Sequence, residues 1–253
     1  MRHFSIAIVG IVILFLSVIF FNCKNDSGTT NPPITVTPIT DNLFPLVAGN
    51  SFEYDGYLVD TNSVKTPVPG IPAGAFRSTW TLVPVSGNTW YIQDSITVDT
   101  VTKVKQLFIR KDSATGDFAF LQSLGPFYRA IHATYTDTAL WVTVARPSLG
   151  MNNTWLAFDT TVNGEVNGIA ASIHFQIFGI IEAREIITDS SSSHTQYNTY
   201  RIRTYRTIGV GPVSISMTSA YLWLAPDIGP VQVDIAGDPE NYGVFCVLKN
   251  KNF

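Results

Sequence analysis

Apolar and polar residues change places every second position along most of this chain, and the 3.6-residue period of an amphipathic helix is scarce. Residues 79–83 and 89–92 alternate on either side of Gly87-Asn88 and predict a tight hairpin. The same alternation predicts strands over residues 51–59, 104–110, 118–122, 140–144, 169–178 and 180–188. Further strands follow over 199–205, 213–217, 220–224, 231–235 and 244–248. Each run is rich in β-branched or aromatic residues and is bounded by Gly, Pro, Asn, Asp or Ser. Only residues 126–135 suggest a helix. Many short strands at close spacing predict an all-β chain, a curved antiparallel sheet of the half-barrel kind, with a β-sandwich as the alternative.

One hairpin carries charge. The run 180–188 leads into the serine-rich 189–194 and returns as 200–206, so a turn centred near Ser193 sets Glu185 opposite Arg201. Alternation puts Glu182 and Glu185 on opposite faces. A solvated, charge-laced face is the plain reading of this hairpin, and an anion site built from Arg201, Arg203 and Arg206 is the sharper one.

The first residues follow another pattern. Met1-Arg2-His3 is basic, residues 4–21 are apolar and uncharged, and Asn22-Cys23-Lys24 turns abruptly polar. That order is an export signal. The apolar stretch is also long enough for a retained transmembrane anchor. Cys23 at the boundary resembles the cysteine of a bacterial lipoprotein signal, which implies a lipid on its thiol and cleavage just before it. Lys24 after the cysteine resembles signals that send the protein on to the outer membrane. Residues 28–41, rich in Thr and Pro, read as a tether. The expected organisation is a signal over 1–22, the lipid-bearing cysteine and tether over 23–41, and a single β-rich domain over 42–253. Its expected address is the cell envelope, with the body in the periplasm or at the cell surface.

Three stretches carry a wider resemblance. FPLVAGNSFEYDG at 44–56, GIIEAREIIT at 179–188 before the TYRIRT run, and YLWLAPDIGPV at 221–231 stand in that order. They resemble uncharacterised bacterial lipoproteins whose bodies open FPLxxGNxWxY and close YWxAxx(V/I)GxV. Phe52 replaces the usual Trp, and Pro230 replaces an aliphatic residue after the glycine. The resemblance implies a curved antiparallel sheet like that of lipoprotein carriers, and it transfers no catalytic residue.

Composition narrows the chemistry. Hydrophobic residues are 45% and charged residues 14% of the chain, enough for a large core. The net charge of −3 becomes −4 once Arg2 is removed with the signal, which argues against a nucleic-acid partner. With Cys23 lipidated, Cys246 has no disulfide partner, and its apolar neighbours predict a buried thiol. His132, His174 and His194 are dispersed, and no HExxH, P-loop or G-x-S-x-G is present. Asp94 and Asp99 form no recognisable acid/base pattern. Asp234, Asp238, Glu240 and Asn241 offer hard oxygen ligands, but an ordinary turn explains them better than calcium. No metal, cofactor or catalytic residue is therefore expected. Trp80, Trp90, Trp141, Trp155 and Trp223 fill a core or line a pocket.

The expected function is a non-enzymatic envelope lipoprotein that binds an apolar small molecule or an envelope protein. A glycan hydrolase and a structural or adhesive surface module are the alternatives. The anchor has its own test. Metabolic labelling with a fatty-acid analogue should mark the wild-type chain and leave Cys23→Ala unlabelled; equal labelling of both removes the lipid from Cys23.

Overall fold

The computed structural model of the chain describes residues 36–59, 75–98, 100–123, 125, 128, 132, 139–166, 168–236 and 243–253. They form β1 (Ser51–Val59), β2 (Ala75–Ser86), β3 (Thr89–Val98), β4 (Val101–Lys111), β5 (Phe118–Ser123) and β6 (Ala139–Ala145). After these come β7 (Thr154–Val166), β8 (Ile169–Thr188), β9 (Gln196–Val210), β10 (Val213–Ala225), β11 (Gly229–Ile235) and β12 (Gly243–Lys251). All twelve belong to one sheet in the order β6-β5-β4-β3-β2-β1-β12-β11-β10-β9-β8-β7. Two meanders, β1–β6 and β7–β12, are joined where β1 pairs antiparallel with β12. The sheet curls until its outer edges meet. There the Trp155 indole on β7 donates to the Thr143 carbonyl on β6 at 3.0 Å, although no ladder joins the two strands among the described residues. The result is an antiparallel sheet nearly closed into a barrel, as expected. The sandwich is excluded, because all twelve strands share one sheet and no second sheet faces it among the described residues.

The strand predictions at 51–59 and around Gly87-Asn88 hold, with three corrections elsewhere. Residues 169–178 and 180–188 are one strand of 20 residues, β8. Gly179 does not interrupt it. Instead, its bare Cα makes room for the Trp155 ring lying directly across the ladder. Residues 213–217 and 220–224 are likewise one strand, β10, with a bulge between Thr218 and Ala220. β7 is not foreshadowed by the alternation, because a bulge between Leu156 and Phe158 shifts its pattern and Asn163-Gly164 stays inside the ladder. Most of the helix expected at 126–135 lies outside the described residues.

One end of the barrel is sealed by residues 36–50. Asp227 N–H donates to the Asn42 carbonyl at 2.9 Å, and Lys111 Nζ donates to the Phe44 carbonyl at 2.8 Å and to Asn42 Oδ1. Tyr200 OH donates to Asp41 Oδ2 at 2.7 Å, and Ile39 N–H to the Pro147 carbonyl at 2.9 Å. The compact unit Val36–Phe253 therefore includes residues assigned above to the tether. Leu43 and Phe44 drop into the barrel, where Phe44 meets Phe118 edge-on.

Behind this seal the inner face is packed solid. Phe52, Tyr54, Leu82, Ile92, Ile109, Ile181, Ile202 and Leu224 are fully buried. Tyr54 satisfies its hydroxyl on the Pro230 carbonyl at 2.9 Å, and its ring packs against Trp80. A polar insertion lies beside them. Asp94, almost wholly buried, accepts from Ser78 Oγ at 2.6 Å and pairs with Lys105 Nζ at 3.4 Å. Cys246 is buried on the same face, and burial first, then the Asp94 charge, pushes its thiol up to about 12.

Two measurements follow. A Cβ on Gly179 would sit 2.2 Å from the Trp155 ring. Gly179→Ala should therefore cost about 1–3 kcal/mol in urea unfolding and speed amide exchange along β6, whose edge the indole holds. An unchanged midpoint means the ring does not close the seam. The second concerns Cys246. A thiol held near 12 stays protonated at pH 8, so in the Cys23→Ala chain a disulfide reagent should react with Cys246 roughly 100-fold slower than in guanidinium. Equal rates would show that the thiol is accessible in the native barrel.

Candidate functional site

The inner and outer faces can be followed strand by strand. From β7 to β10 the inward positions include Phe158, Thr160 and Val162, then Ile173, Phe175 and Ile177. Ile202, Thr204, Arg206, Ile208 and Val210 on β9 face the same way, as do Val213, Ile215, Met217, Ala220 and Leu222 on β10. The outward positions of the same strands are polar. Asp159 accepts from Gln176 Nε2 and pairs with His174 at 2.6 Å, while Thr207 and Ser216 bond to each other at 3.0 Å. His174 is thus a satisfied residue of the outer surface. The His174 and Gln176 hydrogen bonds also hold the Asp159 carboxyl below its ordinary value.

Away from the sealed end, burial of the inner face fails. β11 stops opposite Ala220, so residues 213–218 of β10 have no neighbour on that side among the described residues. Val213, Ile215 and Met217 are 44%, 56% and 40% exposed, and Ile235 next to this step is 44% exposed. Ile208 and Val210 lie beside them on β9. This open apolar strip, continuous with the packed half of the barrel, is the candidate site. Across the sheet β4 offers a second free stretch, 101–106, whose inward residues include Lys103 and Lys105. Inward lysines are a device that discourages strand addition at an edge. The stretch 213–218 carries no charge at all.

Arg206 stands at the deep end of the strip. It lies directly between Ile177 on β8 and Met217 on β10. Its guanidinium Nε is buried and has no hydrogen-bond partner among the described residues.

The other candidates named from the sequence separate. Arg201 and Arg203 are not companions of Arg206, because strand alternation turns them to the outer face. There Arg201 Nε and Arg203 Nε approach the two Glu182 oxygens at 2.9 and 3.0 Å, and Arg201 Nη1 pairs with Glu185. The three-arginine anion site is thus overturned. So is the assignment of Glu182 and Glu185 to opposite faces: a bulge between Ile181 and Ala183 lets Arg201 reach both. The same cluster corrects the hairpin register. Glu185 stands opposite Thr199 and Arg201 opposite Ala183, so the expected ion pair forms diagonally. Glu185 also accepts from the Trp223 indole at 2.6 Å. Both carboxylates are committed to cations or an indole.

A polar cleft of about 420 Å³ lies at the sealed end, lined in part by Asp41, Arg184, Asn198 and Tyr200. Arg184 stacks over the Tyr200 ring and bonds its hydroxyl, and burial followed by Asp41 raises that phenol above its ordinary value. Asp41, Tyr200 and Arg184 bond in a chain that clamps residues 36–50 to β9. Trp80 and Trp155 fill the core, and Trp223 is buried under the outer cluster. Cys23, Asp99 and the acidic loop residues Asp238, Glu240 and Asn241 lie outside the described residues.

No family model matches the chain, and no curated protein matches it. Among solved structures, a candidate lipoprotein from Parabacteroides distasonis ATCC 8503 is similar at 12% identity, over 84% of this chain and 99% of that one, with a TM-score of 0.44. A candidate exported protein with a YmcC-like fold from Bacteroides fragilis NCTC 9343 is similar at 14% identity, over 83% and 98% of the two chains, with a TM-score of 0.45. Likeness at this level transfers no residue and no role.

Proposed function

We propose that the chain is an envelope lipoprotein, anchored through Cys23, whose half-barrel binds an apolar small molecule on the open part of its inner face without catalysing a reaction. The observation that carries this reading is the strip Val213, Ile215 and Met217. These side chains point inward, where a sheet normally buries its apolar residues, yet they remain 40–56% exposed. A contiguous exposed apolar surface in a concave setting is the ordinary mark of a binding site. The outer positions between them, Ser214 and Ser216, are those of a solvated face, so the strand is not apolar all round.

A second reading draws on the uncharged free edge of 213–218, which could take an added strand from an envelope protein. The hydrolase alternative draws no comparable support, since the Glu182 and Glu185 carboxylates are held in ion pairs on the outer face.

The test is native mass spectrometry of the full chain purified from its own envelope in mild detergent. A co-purifying apolar molecule is expected on the wild type and not on Ile215→Asp, with both chains giving the same strand-dominated circular dichroism. A folded wild type that carries nothing and binds no added lipid would remove the small-molecule reading. Cross-linking from residue 215 to a second protein would favour strand addition.

A further inference from the structure

From the row Ile181, Ile202 and Leu222 out to the β7–β8 and β9–β10 turns, the inner face is apolar or weakly polar at every described ladder position but one. Arg206 is the charged residue of that stretch and its Nε is buried without a partner, whereas Arg184, opposite Tyr200 toward the sealed end, is stacked on the Tyr200 ring. Arg206 is half-buried, and a guanidinium whose Nε is withdrawn from water without a partner is costly and is normally matched by an anion. Three carboxylates of the barrel are already taken. Glu182 and Glu185 serve Arg201 and Arg203 on the other side of the sheet, and Asp94 is held by Ser78 and Lys105. Arg201 and Arg203 thus have carboxylates where Arg206 has none among the described residues.

Resting on the small-molecule reading above, we infer that the ligand of this face is an amphipathic acid whose carboxylate or phosphate is bound by Arg206. Arginine suits the task because its planar fork gives two parallel hydrogen bonds to either group and never loses its charge. The apolar part of the ligand then lies outward along the strip. Met217, Ile208, Ile215, Val210 and Val213 follow Arg206 toward the β9–β10 turn. Four residues of strand from Arg206 to Val210 span about 13 Å at roughly 3.3 Å each, a fit for a stretch of acyl chain. Burial of the head group beside Ile177 and Met217 strengthens the charge pair, since water is displaced from both partners.

The test is a titration of the full detergent-solubilised chain by native mass spectrometry with three single-chain lipids. Oleate carries a carboxylate, oleoyl lysophosphatidate a phosphate, and monoolein no charge. Wild type should bind at least one acid roughly 10- to 100-fold tighter than monoolein, and the stronger acid identifies the head group. Arg206→Gln should erase that preference while leaving monoolein binding as it was, and Arg206→Lys should keep part of it. Equal binding of all three lipids by wild type overturns the role of Arg206 and leaves the small-molecule reading standing. Binding of none overturns both. A further measurement separates a structural arginine from a ligand-binding one. In the unliganded chain, Arg206→Met should leave Tm unchanged or raise it, because it removes a buried Nε that has no partner. A fall of several degrees would mean that the fold needs the guanidinium, and would overturn the inference.

Discussion

The architecture depends on the pairing of β1 with β12. Each meander is a run of neighbouring hairpins, and without this ladder they would be two separate sheets with four edges. The ladder runs from Phe52 opposite Lys251 to Val59 opposite Gly243, with a bulge between Glu53 and Tyr54 that increases the local twist. Gly56 lies in the middle of it, and the Phe76 ring from β2 covers the place a side chain would occupy. Because the first and last strands close on each other, the remaining gap falls between β6 and β7. An indole and a carbonyl span it where a ladder would otherwise run.

Closure is uneven along the barrel axis. At one end, residues 36–50 carry Leu43 and Phe44 inward and bond to β4, β9 and the turn before β11, so the aromatic half has no route to solvent there. At the other end β11 ends early, and among the described residues β10 runs on with β9 as its one neighbour. The packed half supplies the stability, and the exposed half can then be left apolar at a cost the whole sheet absorbs. The two free edges differ in chemistry. Lys103 and Lys105 line one, while the other is Val-Ser-Ile-Ser-Met-Thr. The first is protected against pairing, and the second has been left receptive.

Much of this was legible in the alternation of residues. The strands, the Gly87-Asn88 hairpin, the buried Cys246 and the Glu185–Arg201 attraction follow from neighbours in sequence. What escaped were events set by partners far along the chain. Gly179 reads as an interruption until the Trp155 ring lies on it, and bulges at Glu182 and Ala157 reset the faces of β8 and β7. Arg206 shows the difference most clearly. Grouping it with Arg201 and Arg203 follows charge, whereas parity with Ile202, Thr204 and Ile208 separates it from them, and parity proved the sounder guide. The end of β11 at Ile235 matches the run 231–235 read from the sequence, but nothing in 213–218 says that this strand is its neighbour and has stopped.

The joining of first and last strands also sets a timetable. Ser51 and Asn252, which share a hydrogen bond, are 201 residues apart. At a synthesis rate of about 5–20 residues per second, β1 waits roughly 10–40 seconds for β12 to exist. During that interval β1 has β2 on one side only, and its other edge, along Phe52, Tyr54 and Val59, is open, the kind of edge that seeds aggregation. Glu53 and Asp55 interrupt its apolar run, and a nascent strand that bears two negative charges repels its own copies. In the finished sheet both carboxylates acquire cations, Glu53 from Arg77 and Asp55 from Lys249. The same two residues thus guard the chain while it is unfinished and bind its neighbours once it is complete.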